Sequence, residues 1–146
     1  MENIFKLIMK IIFFLLAFIF CTYTNLVAQD CTIYHKGYFT YVDSVGTTIL
    51  IKRRNKYQYE YDRTKKTWIQ FSINWIYDCT YTITQTLTNS KEKRKFKNSG
   101  TKISISKTDG DSGYSYKCSC PNIVGDIEKP EMYIKKITRE QFYKLY

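Results

Sequence analysis

The sequence predicts an all-β fold, in which an antiparallel meander of about eight strands forms a small barrel or half-barrel and a short helix ends the chain. Three observations indicate this class. Apolar and polar residues alternate with a period of two through most of segment 37–137. Polar clusters that favour turns separate the alternating runs. The chain also contains 14 Tyr, 9 Phe and 2 Trp, and aromatic side chains suit a pleated, half-buried surface.

The alternation gives each central strand a predicted inward face. Segment 57–62 (YQYEYD) places its three tyrosines on one face and its three polar residues on the other. The runs 69–75 and 79–87 follow, and the second of them is expected to turn Leu87 inward. The inward set is bulky, so it is expected either to line a ligand pocket or to fill the core. Its aromatic members are Tyr57, Tyr59, Tyr61, Phe71, Trp75, Tyr81 and Tyr116.

The other strands and the helix follow from shorter signals. A turn at 108–111 (TDGD) predicts a hairpin, because Asp and Gly tolerate left-handed backbone. Thr138 and Gln141 have the spacing of a capping box, so we predict a helix at 139–145 with Phe142 facing the barrel. Further strands are predicted at 38–42, 48–52, 103–105, 114–120 and 132–137.

Residues 1–29 have the order of a secretory signal peptide, in which a basic start precedes an apolar run and small residues. The apolar run, 11–21, spans only about 16 Å as a helix, roughly half of a bilayer core, so a permanent membrane span is the weaker interpretation. We predict cleavage after Ala28 or Gln29. One domain, residues 30–146, is then expected to be soluble in the periplasm or secreted.

The mature chain is basic, with 21 Lys and Arg against 12 Asp and Glu, a net charge of +9. This balance suits an anionic envelope component, such as an acidic polymer or lipid, although lysine that only fills solvated positions is the favoured explanation. The densest cluster lies in loop 90–100 (SKEKRKFKNSG), where Phe96 is suited to insert into an anionic surface. As a solvated loop, the segment needs no partner. Its cationic residues are Lys91, Lys93, Arg94, Lys95 and Lys97.

Four cysteines follow the predicted leader, and an even number in an exported chain indicates disulfides with three alternative connectivities. Cys118 and Cys120 are two residues apart on one strand, which places their Cα atoms about 6.5 Å apart, near the limit of disulfide geometry. A strained bond there would be reducible, which makes a thiol redox role conceivable. The chain has no CxxC motif at a helix N-terminus, so this role is the least favoured alternative. Crossed pairing of Cys31 and Cys79 with the later two, or buried thiols, also stays open. The paired spacing of zinc ligands is missing.

The motif Gly110-Asp111-Ser112-Gly113 matches four residues of trypsin-like proteases, but a nucleophilic serine needs a base and an orienting acid. His35 is the only histidine, and it is expected to be an exposed residue near the mature N-terminus. We interpret the motif as a hairpin turn. No catalytic residue, metal site or cofactor is predicted.

One pattern of residues resembles a group of small exported bacterial proteins, mostly uncharacterised, whose meander is similar to lipocalin-like barrels. The resemblance spans about Cys31 to Leu87. It implies a small barrel or half-barrel and no established activity, and it makes Cys31–Cys79 the leading disulfide, which closes a loop of about 48 residues. The residues that carry it are Cys31, Gly37-Tyr38-Phe39-Thr40-Tyr41, Ile51 to Arg53, Gln58-x-Glu60 and Trp75-x-x-x-Cys79-x-Tyr81.

Together these features predict an exported, disulfide-stabilised and non-enzymatic barrel, monomeric, that binds a small apolar ligand or an envelope component. A basic interaction module for acidic polymer or lipid is the alternative. Nucleic acid is not expected as a partner of an exported chain. An internal volume of about 300 Å³ or more favours the ligand binder, and a filled interior excludes it.

Overall fold

The computed structural model describes residues 29–122, 125–128 and 131–146, and it describes side chains in these ranges except for 120–122 and 125–128. The predicted signal peptide therefore lies outside the described residues, apart from Gln29. Within the described residues, no helix is both long and apolar enough to span a bilayer. The strands are β1 Gly37–Val42, β2 Thr48–Arg53, β3 Tyr57–Asp62, β4 Thr67–Tyr77, β5 Thr80–Thr88, β6 Gly100–Asp109, β7 Gly113–Asn122, β8 Gly125–Glu128 and β9 Met132–Ile137, and the helix is α1 Arg139–Leu145.

The strands close into an eight-stranded antiparallel barrel. Each strand from β1 to β7 pairs with its neighbour in the chain, β9 pairs with β7, and β9 also pairs with β1. The predicted all-β class, the small barrel and the C-terminal helix are thereby confirmed. The short strand β8 was not predicted. On the same edge of β7, β9 pairs with residues 113–116 and β8 pairs with residues 119–122. Closure removes exposed strand edges, which is why a meander with one apolar face per strand is stable in this form.

The meander puts alternate connections at opposite ends of the barrel. We call the three loops 43–47, 63–66 and 89–99, which join β1–β2, β3–β4 and β5–β6, the mouth loops, and their end the open end. The closed end carries the N-terminal segment 29–36 and the connections β2–β3, β4–β5 and β6–β7.

The N-terminal segment covers the closed end. Cys31 is fully buried and forms a disulfide with Cys79, with the two Cα atoms 5.1 Å apart, so the leading prediction for this pair is confirmed. A 3₁₀ turn, Thr32–Tyr34, then directs the ring of Tyr34 into the barrel. The Tyr34 hydroxyl lies 2.7 Å from the carbonyl oxygen of Gly113 and also contacts that of Gly110. These bonds tie the start of the chain to the β6–β7 hairpin.

The predicted inward face of β3 is wrong. Gln58 is 2 % exposed and Glu60 also lies inside, whereas Tyr57, Tyr59 and Tyr61 lie on the outer face. The side chain of Tyr57 is 43 % exposed, and the ring of Tyr61 packs against the helix outside the barrel. The polar side chains are stable inside because Arg53 of the neighbouring strand binds one of them.

Leu87 is also wrongly predicted as inward. Leu87 is 53 % exposed, because the pairing of β4 with β5 shifts register at this point. Gln70 pairs with Leu87, but the next residue of β4, Phe71, pairs with Gln85. This bulge inserts one residue into β5 and reverses the alternation after Gln85.

The helix packs on the outside of β1 and β3. Its capping box is formed as predicted: the Thr138 hydroxyl accepts from the backbone of Gln141, whose side chain accepts from the backbone of Thr138. Phe142 is 1 % exposed and contacts the rings of Tyr38 and Tyr61. The outer aromatic residues of β3 thus help to hold the helix.

Candidate functional site: an open cavity above a buried arginine

The half of the interior next to the closed end is filled around Arg53, the last residue of β2. Arg53 is only 2 % exposed. Its Nη1 donates to the carbonyl oxygen of Tyr34 at 2.9 Å, and its Nη2 donates to the hydroxyls of Tyr81 and Tyr114 at 2.9 and 2.8 Å. Its Nε donates to Oε1 of Gln58 at 2.7 Å. All four acceptors are neutral, so oriented dipoles rather than a carboxylate stabilise the buried charge.

Aromatic rings complete this Arg53 cage. The guanidinium carbon lies 4.9 Å from the ring centroid of Tyr81 and 5.1 Å from that of Phe39, which is the range of cation–π contacts. Burial raises the pKa of Tyr81 well above its ordinary value, so its hydroxyl stays protonated. The side chains of the cage are buried together, and the cage serves as the floor for the space above it.

Gln58 connects the cage to Glu60. Because the guanidinium only donates, the amide oxygen of Gln58 must face Arg53, and the amide nitrogen then donates to Oε1 of Glu60 at 2.7 Å. The hydroxyl of Tyr41 lies 3.5 Å from the other oxygen of Glu60. Burial raises the pKa of Glu60, although the hydrogen bond from Gln58 and the charge of Arg53 lower it in part. The charge of Glu60 and burial in turn raise the pKa of Tyr41.

A cavity of about 630 Å³ lies between this floor and the open end. Its apolar wall is formed by residues of five different strands, among them Ile49, Ile69, Tyr116 and Met132. Its polar groups are the Glu60 carboxylate in the interior, Asp62 and Thr67 at the strand ends, and side chains of the mouth loops. The complete lining is Tyr41, Asp43, Ser44, Ile49, Glu60, Asp62, Lys65, Thr67, Ile69, Ser90, Glu92, Lys93, Tyr116, Cys118 and Met132.

The predicted pocket residues are divided between the two halves of the interior. Tyr116 lines the cavity, and burial raises its pKa. Tyr81 is fully buried in the cage, and Phe71 and Trp75 pack against the same core. The tyrosines of β3 contribute nothing to the interior, for the reason given above.

The sequence reasoning missed the polar interior: Arg53, Gln58, Glu60 and Tyr41. The sequence did contain one indication of it. Because the YQYEYD run alternates perfectly, the pattern is equally consistent with the polar face being turned inward. The arginine that favours the polar face lies on another strand, and its pairing with Gln58 becomes visible only in the fold.

The remaining predicted residues lie apart from one another. The basic residues of loop 90–100 are exposed around a 3₁₀ turn, Lys93–Phe96, and only Lys93 among them also lines the cavity. Cys118 is buried and lines the cavity, whereas the side chain of Cys120 lies outside the described set, so the role of this pair stays a prediction. The GDSG motif forms the turn between β6 and β7, as expected.

His35 is half-buried rather than exposed, contrary to the prediction. Its ring stacks on that of Trp75 with the centroids 3.5 Å apart, and its Nε2 lies 2.9 Å from the carbonyl oxygen of Asp78 at the closed end. It is therefore remote from the cavity. In the described part of the chain, no three His, Cys, Asp or Glu side chains are placed to hold a metal ion.

Comparisons with protein-family models, with curated proteins and with solved structures gave no match to this chain. The resemblance to small exported bacterial proteins therefore stays a prediction.

Proposed function

We propose that this protein is an exported, non-enzymatic binder of one small amphiphilic molecule, held in the cavity at the open end of the barrel. The observation that carries the proposal is the cavity itself: its volume of about 630 Å³ lies within the range typical of small-molecule sites. The Cys31–Cys79 disulfide supports an oxidising compartment.

The lining suggests the chemistry of the ligand. An apolar body fits against Ile49, Ile69 and Met132. Glu60 adds a carboxylate beneath this apolar wall. One of its oxygens accepts a short hydrogen bond from Gln58, whereas the other has only a long contact of 3.5 Å with the hydroxyl of Tyr41. A cationic or hydrogen-bond-donating head group satisfies that second oxygen best, so we propose an amphiphile with such a head rather than a purely apolar molecule.

Three ten-carbon ligands with different head groups test the proposal: decylammonium, decanol and decanoate, titrated into the oxidised protein by calorimetry. We expect decylammonium to bind most tightly and decanoate least. Glu60→Gln keeps the size of the side chain but removes its charge, and it is expected to weaken decylammonium binding by about tenfold or more while changing decanol little.

A bulky residue inside the cavity supplies the second test. Ile69→Trp places a large ring in the cavity and is expected to weaken all three ligands, whereas the matched variant Leu87→Trp adds the same ring to the outer surface and is expected to change none. Equal binding by both tryptophan variants, or no binding of any ligand to the unmodified protein, would contradict the proposal.

A further inference from the structure

We propose that the open end of the barrel docks on an anionic lipid surface through the mouth loops. This inference concerns the outer surface of the loops and does not depend on what the cavity binds. It rests on the positive charge of the mouth loops and on the apolar side chains that are exposed on or beside them.

Cationic residues are concentrated at the open end. The mouth loops carry eight Lys and Arg against two acidic residues, whereas the closed-end segments 30–36, 54–56, 78–79 and 110–112 carry three of each. The excess of cations is therefore larger in the mouth loops than in the closed-end segments, although β8 adds Asp126 and Glu128 on the open-end side. The cations of the mouth loops are Arg63, Lys65, Lys66, Lys91, Lys93, Arg94, Lys95 and Lys97.

The three mouth loops meet on one face of the molecule. Asp43, Lys65 and Lys93 come from different loops, yet all three line the same cavity. Their neighbours in each loop therefore surround one opening, and a flat surface can contact all three loops at once. Long-range attraction between such a cationic face and anionic headgroups adds over the residues near the surface.

Exposed apolar side chains on or beside the mouth loops favour a lipid surface over an acidic polymer. Val45 in the first loop is 78 % exposed, and Phe96 in the third is 46 % exposed. Val42, at the end of β1 beside the first loop, is 61 % exposed. A polyanion needs only the cations, whereas an apolar side chain flanked by Lys and Arg, as Phe96 is, is typical of segments that insert at the headgroup boundary. Docking in this orientation places the mouth of the cavity against the lipid.

Co-sedimentation with vesicles tests the proposal. The oxidised protein is mixed with vesicles of phosphatidylcholine and phosphatidylglycerol, or of phosphatidylcholine alone, at about 0.15 M salt, where weak surface electrostatics are screened. The open-end variant is Arg94→Gln with Lys95→Gln and Lys97→Gln. Its matched control, Lys36→Gln with Arg54→Gln and Lys56→Gln, removes the same charge from exposed sites at the closed end.

We expect binding to the anionic vesicles only, and a loss of about tenfold or more in the open-end variant against less than about twofold in the control. Phe96→Ser is expected to weaken vesicle binding several-fold. Tyr77 is an exposed aromatic residue at the closed end, and Tyr77→Ser is expected to leave vesicle binding unchanged. Thermal unfolding establishes that each surface variant is folded.

Three results would overturn the proposal. Equal losses in the two charge variants would show that overall charge, not the open end, governs binding. No binding to the anionic vesicles at this salt concentration would exclude the lipid partner. Binding to dextran sulfate that falls in the open-end variant, together with vesicle binding that is indifferent to Phe96→Ser, would assign the surface to an acidic polymer.

Discussion

The guanidinium of Arg53 donates to the side-chain oxygen of Gln58 at 2.7 Å, and this bond orients the amide so that its nitrogen faces Glu60. A cation and a carboxylate in one small interior are therefore joined through an amide. The arrangement divides the interior into a packed floor and a cavity in which Glu60 is the carboxylate joined to that floor.

Replacing Arg53 tests how much its hydrogen bonds contribute to the stability of the barrel. Arg53→Met keeps a long side chain but leaves the acceptors on Tyr34, Gln58, Tyr81 and Tyr114 without their donor, so we expect a loss of about 3–5 kcal/mol in the free energy of unfolding, measured in denaturant with the disulfide intact. The exposed neighbour offers the control, since Arg54→Met is expected to change stability by less than about 0.5 kcal/mol. A stable Arg53→Met protein would show that an apolar filling serves equally well.

The sequence could predict where the strands lie, but it could not predict which face of β3 is turned inward. Strand positions follow from local alternation, and β3 and β9 begin and end as expected. The inward face of β3 depends on residues elsewhere in the chain. Arg53 of β2 binds Gln58 inside the barrel, and Phe142 of α1 packs on Tyr61 outside it. Tyrosine tolerates either environment, so hydrophobicity alone favoured the wrong face.

The cavity was less predictable than the barrel. Its existence depends on the volume left after every inward side chain is placed, which no single strand determines. The polar residues that occupy interior positions of β3 are what separate the cavity from the filled half, and their role was not visible in the sequence pattern. The disulfide, by contrast, was expected from the resemblance because both cysteines belong to the shared pattern.

Removal of that disulfide is expected to be costly. Cys31→Ser combined with Cys79→Ser opens a loop of 48 residues, and chain entropy predicts a loss of about 4 kcal/mol in the free energy of unfolding. Denaturant unfolding of the double variant, compared with the unmodified protein under the same conditions, measures it. A change below about 1 kcal/mol would mean that the packing of the N-terminal segment already supplies the constraint.

Gly113 is expected to be indispensable for a structural reason. Its φ is +155°, and a Cβ atom there would clash with the carbonyl oxygen of Ile134. Gly113→Ala must therefore shift β7 away from β9, and we expect a loss of more than about 3 kcal/mol by thermal or denaturant unfolding.

Gly46 supplies the matched control for Gly113. Its φ is also positive, +82°, but a Cβ there would meet nothing within 4 Å. Gly46→Ala is expected to cost only about 1 kcal/mol of backbone strain. Similar losses in the two variants would show that backbone conformation, and not the contact with β9, governs Gly113.

Glu60 is expected to make stability depend on pH. Because burial raises the pKa of Glu60 above its ordinary value, the folded protein holds this proton more tightly than the unfolded chain does in the interval between the two values. Stability contributed by this group therefore falls as the pH rises through that interval, and it stays low above it. Glu60→Gln removes the proton equilibrium but keeps an oxygen that accepts from Gln58, so the variant is expected to gain stability relative to the unmodified protein as the pH rises.

Denaturant unfolding at a series of pH values from about 4 to about 8 measures this difference. Glu92→Gln removes the same charge from an exposed position at the mouth and controls for net charge. If the free energies of Glu60→Gln and of the unmodified protein ran parallel over the series, the carboxylate would be well solvated through the cavity. In that case the Glu60 charge would contribute little to ligand selection, because water would already satisfy the oxygen that the proposed head group is meant to bind.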